Sequence, residues 1–175
     1  AVLPERDQRL LASRLKHGGQ VIPQTVPKPP DYRVGDIAAF WVTDNQSTPP
    51  KQFQVNASLQ YIGDHSYWWV QEGMKVDAAK LESSAQRFES ITYPTNREFF
   101  GSEWTPGVDN DPRVHVFMGD VPGVAGYFSA SNSYSKLAEP YSNEREMFFI
   151  NLQAISPGND RFDSVLAHEF QHMIH

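Results

Sequence analysis

Apolar and polar positions change their spacing repeatedly along the chain, and each change marks an element. Leu10, Leu11 and Leu15 trace a weak helical stripe that stops at Gly18-Gly19. Pro23, Pro27, Pro29 and Pro30 then predict an extended connector, so residues 1–30 read as an arm. Residues 37–42 form a short apolar run closed by Thr43-Asp44-Asn45, a buried-strand pattern. Phe53, Val55, Ala57, Leu59 and Tyr61 alternate with polar residues, which predicts a half-buried strand with these five on one face. Gly63-Asp64 turns the chain into Tyr67-Trp68-Trp69-Val70, whose aromatic density fits packing between strands of a small sheet.

Asp77 is positioned to cap a helix whose Ala78, Leu81, Ala85 and Phe88 share a face, and Pro94 is expected to end it. Strand patterns recur at 114–118, 124–129 and 147–151, and a final helix starts at Asp160 or Asp163. Asp109 and Asp111 stand at the i, i+2 spacing that opens a calcium loop. Pro112 follows at once and no glycine or distal glutamate completes the ligand set, so the stretch reads as a plain turn.

Composition narrows the function. A net charge of −6 argues against a nucleic-acid binder, which needs a basic face. Apolar runs are too short to span a bilayer, and the first residues lack the basic start and apolar stretch of a signal peptide. Cysteine is absent, which removes disulfides, thiolate metal sites and thiol nucleophiles together.

The chemistry sits at the end of the chain, in His168-Glu169-Phe170-Gln171-His172. Histidines at i and i+4 share one helical face, about ~6 Å of rise apart, and both imidazoles can address one Zn²⁺. Zinc acidifies a water it holds, and a neighbouring carboxylate such as Glu169 is a base already ionised at neutral pH. A chance match is expected in about one chain in a hundred of this length and composition, so the motif alone is suggestive. Val165, Leu166, Phe170 and Met173 add an apolar complement to the histidine face. His175 lies ~10.5 Å of rise from His168, too far for both to bind one ion, and reads as a neighbour rather than a ligand.

The segment from Val165 through His168-Glu169 to His175 resembles the active-site helix of secreted bacterial zinc peptidases of the immune-inhibitor-A-like and hyicolysin-like kind. Phe100-Gly101-Ser102-Glu103-Trp104, Gly107-Val108-Asp109-Asn110-Asp111-Pro112, Gly126-Tyr127-Phe128 and Ser142-Asn143-Glu144-Arg145-Glu146-Met147 extend the likeness. It covers residues 96–175 well and 32–75 loosely. The resemblance implies zinc as cofactor, His168 and His172 as ligands, Glu169 as catalytic base, and protein or peptide substrates outside the cytoplasm. It also implies an α+β fold: a β-rich segment over 31–75, then the upper half of a zincin-like domain over 76–175, ending in the active-site helix. In that architecture residues 124–129 are a substrate-binding edge strand, with Ala125, Gly126 and Tyr127 against the peptide and Gly126 keeping the edge open. The family's third ligand follows the motif, so a chain ending at His175 is expected to bind zinc weakly and to hydrolyse nothing alone. The competing reading is a non-catalytic β-rich binding or pro-segment module with a vestigial metal-binding helix.

Overall fold

Among the described residues, six strands make one mixed sheet in the order β1-β2-β3-β4-β6-β5. They are β1 (Ile37–Asp44), β2 (Lys51–Ile62), β3 (Ser66–Gln71), β4 (Val114–Gly119), β5 (Gly126–Phe128) and β6 (Met147–Asn151). The computed structural model describes residues 8–175, so the expectation of no leader, which rests on residues 1–7, lies outside the described residues. The β3–β4 and β4–β6 pairs are parallel and the others antiparallel. Helices α1 (Gln8–Lys16), α2 (Ala78–Arg87), α3 (Tyr93–Phe100) and α4 (Asp160–Ile174) complete an α+β architecture. Because β3 pairs with β4, the sheet continues across residue 75, and the segments on either side contribute to both of its cores.

The central strands β3, β4 and β6 are largely apolar because both faces are covered. Trp68, Val70, Val116, Met118, Phe148 and Ile150 point toward α2 and α4, where they meet Leu81, Phe88, Leu166 and Phe170. Alternate residues Tyr67, Trp69, Phe117, Met147 and Phe149 point the other way, and β1 and β2 curl over them with Phe40, Val42, Ala57 and Leu59. The curl is closed by a side chain. Asn143 accepts the Trp41 amide at 2.8 Å and donates to the Trp41 carbonyl at 2.9 Å, so one carboxamide stands in for a neighbouring strand.

Three local expectations change. Ile37 is 61% exposed, so β1 buries only Phe40 and Val42 and is half-buried. A bulge between Leu59 and Tyr61 flips the β2 alternation, which moves Tyr61 to the helix side and sends Ile62 to the curled side. Pro94 does not end the second helical region. A π turn at Phe88–Thr92 widens the ladder, the Tyr93 amide donates to Phe88 O, and Pro94 falls in the first turn of α3, where a missing N–H costs nothing.

The arm docks on the curled side, with Val26 N–H donating to Val108 O at 2.6 Å and the Asn110 side-chain amide donating to Val26 O at 2.8 Å. Replacing Asn143 by Leu is expected to cost about 1–3 kcal/mol, because both Trp41 backbone groups lose their partner. Urea unfolding of the variant checks this, and an unchanged midpoint would show that the curl holds without the carboxamide.

Candidate metal centre and sheet edge

The site is built on α4, which begins where Asn159 accepts the Phe162 amide at 2.9 Å. Phe162, Leu166, Phe170 and Met173 then form a buried stripe that fixes the helix rotation against the sheet. Phe170 is held between Phe88, at 5.5 Å between ring centres, and Tyr93, stacked at 5.3 Å. Asn96 on α3 donates to the Ala167 carbonyl at 2.7 Å, one residue before His168.

That rotation sorts the motif by exposure. Glu169 is buried, whereas His168 and His172 are exposed on the same face. Their Nε2 atoms converge to 3.0 Å, with the rings perpendicular. A tetrahedral ion with bonds near ~2.05 Å spaces two ligand nitrogens ~3.3 Å apart, so the pair fits two corners of such a site after a small rotamer adjustment. Among the described residues no third His, Cys, Asp or Glu joins them. His175 is turned away, its ring packed on Phe100 at 5.7 Å. Burial raises the Glu169 carboxyl above its ordinary range, while His168, His172 and the Phe128 backbone amide offset part of the rise.

Beside α4 runs β5, the last strand of the sheet among the described residues. The Asn151 amide donates to Ala125 O at 2.9 Å, so the Ala125 carbonyl is already engaged. By antiparallel alternation the backbone groups of Gly126 and Phe128 point outward, away from β6. The Tyr127 side chain does not face outward. Its ring lies flat on Phe149 at 4.4 Å and its hydroxyl accepts the Thr43 amide at 3.1 Å, which ties the edge to β1. By the same alternation the backbone groups of Ala125 and Tyr127 face β6 rather than the open edge. Gly126 is also redefined: a Cβ there would lie 2.8 Å from Val165 on α4 and 3.0 Å from the Phe149 carbonyl. Its bare backbone serves the contact between edge and helix.

Pattern reasoning missed the polar interior. Asp109 and Asp111 lie at a turn, as expected, but both are buried, and Asp111 accepts the Tyr67 hydroxyl at 2.9 Å. That bond and burial push the Tyr67 phenol up to about 12, burial being the larger cause. Asn96 and Glu103, the latter accepting the Tyr93 hydroxyl at 2.6 Å, are likewise buried polar partners of the helices. Only the density of Asp, Asn and Glu near strand ends hinted at them.

No family model matches the chain. A curated relative, the neutral metalloprotease ShpI of Staphylococcus hyicus, is 27% identical over 157 residues, covering 81% of this chain and 34% of the relative. The chain thus spans about a third of the length of that relative. No described helix is long and apolar enough to cross a membrane. Gly126→Val is expected to lower stability by more than the ~1–3 kcal/mol typical of overpacking, since a carbonyl cannot step aside. Thermal unfolding measures it, and an unshifted Tm would return the glycine to a role toward ligand alone. The similarity and the paired motif histidines together support a relationship between this chain and metallopeptidases.

Proposed function

We propose that this chain carries the metal-binding helix and sheet edge of a secreted zinc-dependent endopeptidase of the immune-inhibitor-A-like or hyicolysin-like kind. The observation that carries the reading is the convergence of two exposed imidazoles at 3.0 Å beside a buried motif glutamate, along an outward-facing sheet edge. His168 and His172 would hold the ion. When bound, zinc supplies Lewis acidity toward a substrate carbonyl and lowers the pKa of water.

The chain's own residues do the rest. Glu169, buried against β5 and facing the Phe128 amide, is fixed on the metal side of α4 and accepts the proton of the attacking water. The outward backbone of Gly126 and the Phe128 carbonyl bind an extended peptide as an added strand, which lays its carbonyls along the helix. Phe170, Tyr93 and Asn96 hold the helix in register with that edge. A third ligand belongs to sequence following His175 in this reading. The alternative, a non-catalytic module with a vestigial metal helix, draws on the absence of a third ligand among the described residues.

The two readings separate when the chain is expressed with whatever its gene encodes after His175. Glu169→Gln is expected to lower casein hydrolysis by about 10²–10⁴-fold or more while zinc content stays the same. His168→Ala is expected to lose the zinc itself. An active Glu169→Gln variant would remove this residue from the mechanism, and an inactive parent with no zinc would favour the module.

A further inference from the structure

On the curled side of the sheet, away from α4, three groups meet without enough partners. Asp109 Oδ2, His115 Nε2 and Glu146 Oε1 are all buried and have no hydrogen-bond partner among the described residues. His115 is fully buried, and its Nδ1 accepts the Trp69 indole N–H at 3.1 Å. An indole only donates, so Nδ1 must carry a lone pair and the proton of the neutral ring sits on Nε2. Nε2 faces Asp109 Oδ2 at 3.6 Å. This tautomer has no lone pair to offer a metal at Nε2, and it leaves His115 neutral, as its burial also favours. The unbalanced charge in the cluster therefore belongs to the two carboxylates.

Glu146 connects that charge to the arm. Its Oε2 accepts the Val108 amide at 3.0 Å, and Val108 O in turn accepts the Val26 amide at 2.6 Å. The loop closes directly on the carboxylate: a Cβ on Gly107 would lie 2.6 Å from Glu146 Oε2. One loop thus has a buried glutamate on one side and the docked arm on the other.

We propose that Glu146, with Asp109 beside it, is a proton-operated latch: protonated, it lets loop 107–111 close and hold the N-terminal arm, and ionised, it loosens both. Two like charges in a dry site repel, and a proton on Glu146 removes one of them. The other charged groups nearby are already engaged. Asp111 is bound by the Tyr67 hydroxyl and the Arg113 amide, with Lys28 of the arm 3.9 Å away. The Arg145 guanidinium lies over the Phe40 and Tyr32 rings and donates to the Tyr32 hydroxyl, and Lys136 pairs with Glu144.

Burial holds the Glu146 carboxyl up at about 7, and Asp109 adds to the rise while the Val108 amide and Ser133 hydroxyl offset part of it. The folded chain binds this proton more tightly than the unfolded one, so the latch is fully set in acid and is lost as pH rises through about 7. His115 acts in the opposite sense, since a buried neutral imidazole loses stability in acid, so the two effects are separated by substitution at Glu146.

Hydrogen exchange on the whole chain, followed between pH 5.5 and 8.5 and corrected for intrinsic rates, tests the latch. Protection in segments 20–30 and 104–112, relative to β2, should fall about tenfold from pH 6 to pH 8. Glu146→Gln, which mimics the protonated acid, should keep its acid-side protection at pH 8. Equal pH dependence in the two proteins, or none in the parent, would overturn the proposal. Should the variant not fold, the ¹³C carboxyl titration of Glu146 in the unaltered chain decides: a midpoint near 7 supports the latch, and one near ~4.3 overturns it.

Discussion

The contact between α4 and the β5–β6 edge is the constraint on which the candidate site depends. Gly126 has no side chain, so Val165 of α4 can approach the strand backbone closely. Phe170, clamped between Phe88 and Tyr93, stops the helix from rolling. With rotation and distance both fixed, the motif is divided by geometry: Glu169 goes inward to the edge, and His168 and His172 go outward as a pair. A helix rolled by one position would bury an imidazole and expose the carboxylate. The chemistry proposed for the site follows from this packing rather than from the motif alone.

The sheet carries two cores, and they have different tasks. The helix-facing side is apolar and sets the position of α4. The curled side mixes aromatic packing with a buried polar end where Asp109, Asp111, His115 and Glu146 gather. Asn143 closes that curl by pairing with a strand edge that would otherwise expose its backbone. The arm adds its own backbone bonds at the same end. The His168–His172 pair and the docked arm thus sit on opposite sides of the sheet.

Much of this was legible in the residues, for reasons that also mark the limits. The β4 and β6 runs and the alternation over 53–59 are strong because burial on a sheet imposes a simple period, and the α4 stripe and the His168–His172 spacing follow a helical one. Tyr61 was placed on the wrong face because a single extra residue in a bulge shifts the period without any glycine or proline to signal it. Pro94 misled because a π turn absorbs it, and that widening depends on tertiary packing around Phe88. At Gly126 the sequence shows that space is needed but not that Val165 of α4 is one of the neighbours that need it. Asp109, Glu146 and His115 come together from two loops and strand β4, a juxtaposition without local pattern.

The central claim is that His168 and His172 form one half of a metal site. X-ray absorption at the zinc edge, recorded on the chain loaded with one equivalent of zinc, addresses it most directly. The expected spectrum shows multiple scattering from two imidazoles at about ~2.0–2.1 Å, lost in the His168→Ala, His172→Ala double variant. Zinc bound with the same spectrum in that double variant would place the ion elsewhere and contradict the account.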